Sequence, residues 1–107
     1  MRFAARRDLN DASITETVKA AGFSVIDYTK AGIGIPDKLV VRPLPDGTMF
    51  ICWLEIKSAK GKLSEKQILA KNVWEPRGVW LEARDPEATV IALIERYESK
   101  IKPEYWR

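Results

Sequence analysis

The chain contains no histidine. That excludes a Ser-His or Cys-His catalytic pair, a His-ligated zinc and a histidine general base. Any hydrolytic chemistry must then rest on carboxylates, lysine, tyrosine or a metal-activated water. Cysteine is nearly absent too. Cys52, inside the apolar run FICWLEI, cannot alone build a disulfide framework or a cysteine zinc site, and reads as a small buried hydrophobe. No apolar run is long enough to cross a bilayer. The basic start MRFAARRD lacks the apolar segment of a signal peptide, so a cytoplasmic protein with no membrane partner is expected. Repeats and low-complexity segments are missing as well.

What is present suits one small domain: 107 residues, 46% hydrophobic and 31% charged. The net charge of +3 permits a polyanionic partner without demanding one. Its distribution is more informative. Arg2, Arg6 and Arg7 crowd the start, and Lys57, Lys60, Lys62 and Lys66 cluster in one later segment.

The pattern predicts an α/β fold in the order α-β-β-β-α-β-α, a central mixed sheet flanked by helices. A first helix over 8–21 shows Ile14, Val18 and Ala21 on one face. Strands follow over 23–28, 36–42 and 49–57, the last two joined by a Pro-Asp-Gly turn at Pro45-Asp46-Gly47. The third strand is apolar almost throughout, which predicts a central position covered on both sides. Ser64 caps a second helix over 64–74, with Gln67 completing a capping box. A strand over 79–83 precedes a third helix that opens at Asp85-Pro86 and presents Val90, Ile91, Leu93, Ile94 and Tyr97. The tail, with Tyr105 and Trp106, is aromatic enough to suggest a covered surface in a dimer.

Two acids interrupt the apolar hairpin, Asp37 and Glu55. A hairpin centred near Asp46 pairs Val41 with Ile51, Leu39 with Trp53 and Asp37 with Glu55. Alternation puts Lys57 on the same face. Opposed residues have Cβ atoms roughly 4.5–5.5 Å apart, where like charges repel. A hard divalent cation, Mg²⁺ or Mn²⁺, is the simplest counter-charge. The bland alternative is a strand-end acid at Asp37 and a plain Glu55–Lys57 ion pair, worth little where exposed. A Glu-x-Lys triplet carries no weight alone, and Glu98-Ser99-Lys100 repeats it on a helix expected to face solvent. Gly32 and Gly34, just before Asp37, suggest backbone that turns sharply or approaches something closely. No Gly-Lys-Ser/Thr follows them, so this is no phosphate loop and no nucleotide cofactor is expected.

Taken together, Gly-Ile-Gly-Ile-Pro-Asp37, a strand ending Glu55-Ile56-Lys57-Ser58, and Leu63-Ser64-x-x-Gln67 resemble the PD-(D/E)XK nuclease superfamily. Within it the likeness is to the virus-type replication-repair nuclease (VRR-NUC) branch, and it spans most of the chain, from the first helix through Trp80. The resemblance implies a restriction-endonuclease-like fold and metal-dependent hydrolysis of DNA phosphodiesters, with Holliday-junction or other branched DNA as partner and a homodimer as the working form. It implies that Asp37, Glu55 and the Ile56 carbonyl hold Mg²⁺ or Mn²⁺, that Lys57 serves the attacking water, and that Gln67 belongs to the site. Many members carry a glutamate on the first helix; here Ser13 takes its place and Glu16, one turn on, is the substitute candidate. Lys30, Ser58, Lys60, Lys62, Lys66, Arg6 and Arg7 are the expected DNA contacts. The competing class is a non-catalytic nucleic-acid-binding module of the same fold.

Overall fold

The computed structural model describes residues 9–31 and 34–105. The elements run α1 (Leu9–Ala20), β1 (Ser24–Asp27), β2 (Lys38–Pro43), β3 (Met49–Ile56), α2 (Glu65–Trp74), β4 (Trp80–Ala83) and α3 (Pro86–Ser99). Short 3₁₀ turns, Glu75–Arg77 and Pro103–Tyr105, follow α2 and α3. The four strands form one mixed sheet in the order β1-β2-β3-β4, antiparallel except for the parallel β3–β4 pair. The chain is thus an α/β protein.

Local chemistry explains the framework. Asp46 accepts the Thr48 backbone N–H and hydroxyl, holding the β2–β3 turn, and Gly47 takes a φ of +89° there. These two hydrogen bonds, the hydroxyl's first, hold the Asp46 carboxyl below its ordinary range. The hairpin register follows from that turn: Leu39 faces Trp53 and Val41 faces Ile51. Ser64 caps α2 with both halves of the capping box formed, and Asp85 caps α3 ahead of Pro86.

One sheet face carries the core. Val40, Phe50, Cys52, Leu54 and Ile56 pack with Ile14 and Val18 of α1 and Leu93 of α3. The Cys52 thiol is wholly enclosed, and burial pushes its pKa up to about 11, so it remains an unreactive thiol. Alternation sends Trp53 and Glu55 to the other face, where α2 lies and the Trp53 and Trp74 rings meet at 6.5 Å. Trp80, in register with Trp53, is buried beneath Lys71 of α2.

Three expectations need correction. β3 is interior but covered on both faces only in its C-terminal half: Met49 and Ile51 are exposed. A ten-residue α2 spans only about 15 Å and cannot reach them. Ile91 is exposed, leaving Leu93, Val90, Ile94 and Tyr97 as the buried side of α3. β1 is shorter than predicted, because Phe23 turns into the core and Tyr28 leaves the ladder after one bond to the Asp37 carbonyl. Among the described residues no helix is long and apolar enough to cross a membrane. Tyr105 is exposed, and Trp106 lies outside the described residues.

Candidate functional site

β2 starts beside the end of β3, and the continued register sets Asp37 opposite Glu55. Asp37 bends across: its Oδ2 accepts the Ile56 N–H at 3.0 Å. Within a strand, the N–H and C=O of one residue point to the same side, so the Ile56 carbonyl is directed toward β2 as well.

Glu55 is among the most buried of the described residues, 1% exposed, and its Oε1 finds no donor among them. Its Oε2 accepts from Gln67 Nε2 at 3.1 Å. Burial foremost, then the Asp37 carboxyl by hydrogen bond and charge, pushes Glu55 up to about 8; Glu82 adds to this and Lys57 opposes it. At neutral pH the metal-free protein therefore keeps a proton on Glu55. A cation does the same electrostatic work as that proton.

Lys57 extends from the same face, half-buried, with its stem against Gly61: a Cβ there would meet Lys57 Cδ at 3.4 Å and Ser58 Oγ at 3.1 Å. Asn10, at the start of α1, donates from Nδ2 to the carbonyls of Lys57 (2.9 Å) and Arg84 (2.8 Å) and so ties the ends of β3 and β4 together. Gly34 meets both expectations for the loop before Asp37. Its φ is +80°, and a Cβ would stand 3.1 Å from Lys66 Cβ, which seats that loop against α2. Gly32 lies outside the described residues.

Gln67 carries two tasks in one amide. Its Oε1 accepts the Ser64 N–H at 2.8 Å, closing the capping box, while Nε2 holds Glu55. Changing Gln67→Ala should cost about 1 kcal/mol as a lost cap. Gln67→Glu should keep the box but replace the donor facing Glu55 with a third carboxylate, so thermal melts should separate the two variants. Gln67→Glu is the one whose deficit grows as pH rises and shrinks when Mn²⁺ is added.

The remaining candidates divide. Lys30, Ser58, Lys60, Lys62 and Lys66 are all exposed, as phosphate contacts require. Arg6 and Arg7 lie outside the described residues. Glu16 is not brought to the acids: it is exposed on α1, the helix covering the opposite sheet face through Ile14 and Val18. Glu98, Ser99 and Lys100 are exposed at the end of α3. Sequence reasoning missed Glu82 of β4, in register with Glu55, and the Asn10 tie; each depends on the parallel β3–β4 pairing.

Two carboxylates and a carbonyl are a hard, all-oxygen donor set, and the orphaned Glu55 Oε1 fits a cation. Among the described residues no three Asp, Glu, His or Cys side chains converge on one point, so water would complete the shell, as is usual for Mg²⁺. No family model, curated protein or solved structure matches the chain.

Proposed function

We propose that the chain is a Mg²⁺- or Mn²⁺-dependent nuclease of the VRR-NUC kind, with a restriction-endonuclease-like fold, cutting branched or otherwise structured DNA. The observation that carries this reading is the acid pair. Asp37 and Glu55 stand opposite each other on adjacent strands, Asp37 reaches across to the Ile56 N–H, and one buried Glu55 oxygen lacks a donor among the described residues. Asp37, Glu55 and the Ile56 carbonyl would hold the ion. When bound, it polarises a phosphoryl oxygen and acidifies water. Gln67 fixes the orientation of Glu55. The Lys57 ammonium would orient the attacking water, which the bound ion acidifies, and offset charge developing on the phosphate. Lys30, Ser58, Lys60, Lys62 and Lys66, with Arg6 and Arg7, hold backbone phosphates and register the substrate. One chain supplies one site, and symmetric cutting of two strands calls for a homodimer.

The test is to incubate labelled junction, flap, duplex and single-stranded DNA with the protein, with and without Mg²⁺ or Mn²⁺, beside Lys57→Ala. Metal-dependent cutting is expected, reduced by about 10²–10³-fold in the variant, while DNA binding persists. Equal cutting by both proteins refutes the assigned site. Binding with no cutting under any metal supports the non-catalytic module instead.

A further inference from the structure

Glu82 stands in register with Glu55 across the parallel β3–β4 pair, so both side chains leave the same sheet face. Its charge is felt at Glu55. It nonetheless does not converge with Asp37 and Glu55 on a common point. The reason is Arg84, two residues on and on the same face. Its Nε is paired with Glu82 Oε2, and its guanidinium also donates to the Ser58 carbonyl, the first residue of the basic connector. Both side chains are partly exposed, 26% for Glu82 and 31% for Arg84. The backbone beneath them is fixed, because the Arg84 carbonyl is held by Asn10. Only the side chains need move.

We propose that Glu82 is a third carboxylate of the metal site, held off it by Arg84 until a DNA backbone phosphate draws the guanidinium away. This rests on the nuclease reading above. A guanidinium binds phosphate through two parallel donors, a better match than its single Nε contact with Glu82. Arg84 sits where such a phosphate would arrive, bonded to the exposed Ser58 and close in the chain fold to Lys57. Glu82, once released, offers its charge beside Glu55, one of whose buried oxygens has no donor among the described residues. This would fill the role that Glu16, exposed on the far side, does not. It would also make DNA and metal strengthen each other's binding, reciprocally.

The experiment is calorimetric titration of Mn²⁺ into DNA-free protein: the parent, Arg84→Gln, Arg84→Lys, Glu82→Gln and the Arg84→Gln/Glu82→Gln double variant. Arg84→Gln should tighten Mn²⁺ about tenfold by adding one free ligand charge. The double variant should return to the parent affinity, and Arg84→Lys, which keeps the charge, should stay near it. In a Lys57→Ala background, saturating duplex DNA should tighten Mn²⁺ more when Glu82 is present than in Glu82→Gln. The proposal is overturned if Arg84→Gln leaves the affinity unchanged, or if the double variant binds as tightly as Arg84→Gln; the nuclease reading survives either result. Absence of Mn²⁺ binding in every protein overturns both.

Discussion

Glutamine at position 55 should abolish metal-dependent cleavage while stabilising the metal-free fold, increasingly so as pH rises. The loss of activity is expected to be about 10³-fold, the equivalent of several kcal/mol of charge stabilisation. The gain in stability follows from linkage. In the unfolded chain Glu55 releases its proton near 4.5; in the folded chain burial and Asp37 hold it up to about 8. Between those values the folded state binds the extra proton. Stability must therefore fall as pH climbs through that window, and level off above it. Gln67 still donates to position 55 in the variant, and the carboxyl that loses its proton at alkaline pH is gone. Melts of metal-free parent and Glu55→Gln at pH 5 and pH 9 check this: the gap should be small at the first and clear at the second. Parallel curves would mean that Glu55 carries no raised pKa. In the parent, Mn²⁺ binding below pH 8 should release a proton, visible as a dependence of the binding heat on buffer, and Glu55→Gln should lose that dependence.

Such a site was legible where the chemistry is local. The Pro45-Asp46-Gly47 turn fixes the β2–β3 register, and that register alone places Asp37 against Glu55. The Ser64–Gln67 box likewise sets the start of α2 from four residues, and that same first turn delivers the Gln67 amide to Glu55. What was hidden depends on non-local pairing. Nothing in Trp80-Leu81-Glu82-Ala83 says that this strand runs parallel to β3, so the approach of Glu82 to Glu55 could not be read in advance. Nor could the reach of Asn10 to two carbonyls far along the chain. Glu16 shows the opposite error. Its position fits a family pattern, but helical phase is set by Ile14 and Val18 seeking the core, which leaves Glu16 in solvent.

Lys38 was hidden for the same reason, and Lys38→Met should be the most destabilising single change considered. Next to Asp37, it looks like a solvated strand residue, but it turns to the α1 face and is only 2% exposed. Its Nζ lies 3.2 Å from Asp11 Oδ1 and 3.2 Å from Asp27 Oδ2, and it also reaches Thr29 Oγ1 at 3.4 Å. Asp27 is held far below the usual carboxylate range, by the Thr29 hydroxyl and N–H first and by Lys38 after them. Methionine keeps the length of the stem but takes the positive charge from between two carboxylates, one of them buried. Removing one partner of a buried pair costs about 3 kcal/mol or more, which for a domain of this size lowers Tm by about 10 °C or more. The direction with pH provides the check. Asp27, with its depressed pKa, contributes stability above its unfolded value of 3.8 that is lost as pH falls through the folded one. Part of that contribution needs Lys38, so the deficit of Lys38→Met should narrow on acidification. A deficit that stays constant from neutral to acid pH would show that the ammonium does not act on these carboxylates. Activity would respond by a different route. β1 pairs Asp27 with Lys38, and the Tyr28 N–H bonds the Asp37 carbonyl at 2.8 Å, so loosening this corner frees the strand end that aims Asp37. Lys38→Met, assayed well below its melting point, should therefore bind Mn²⁺ more weakly although it touches no proposed ligand.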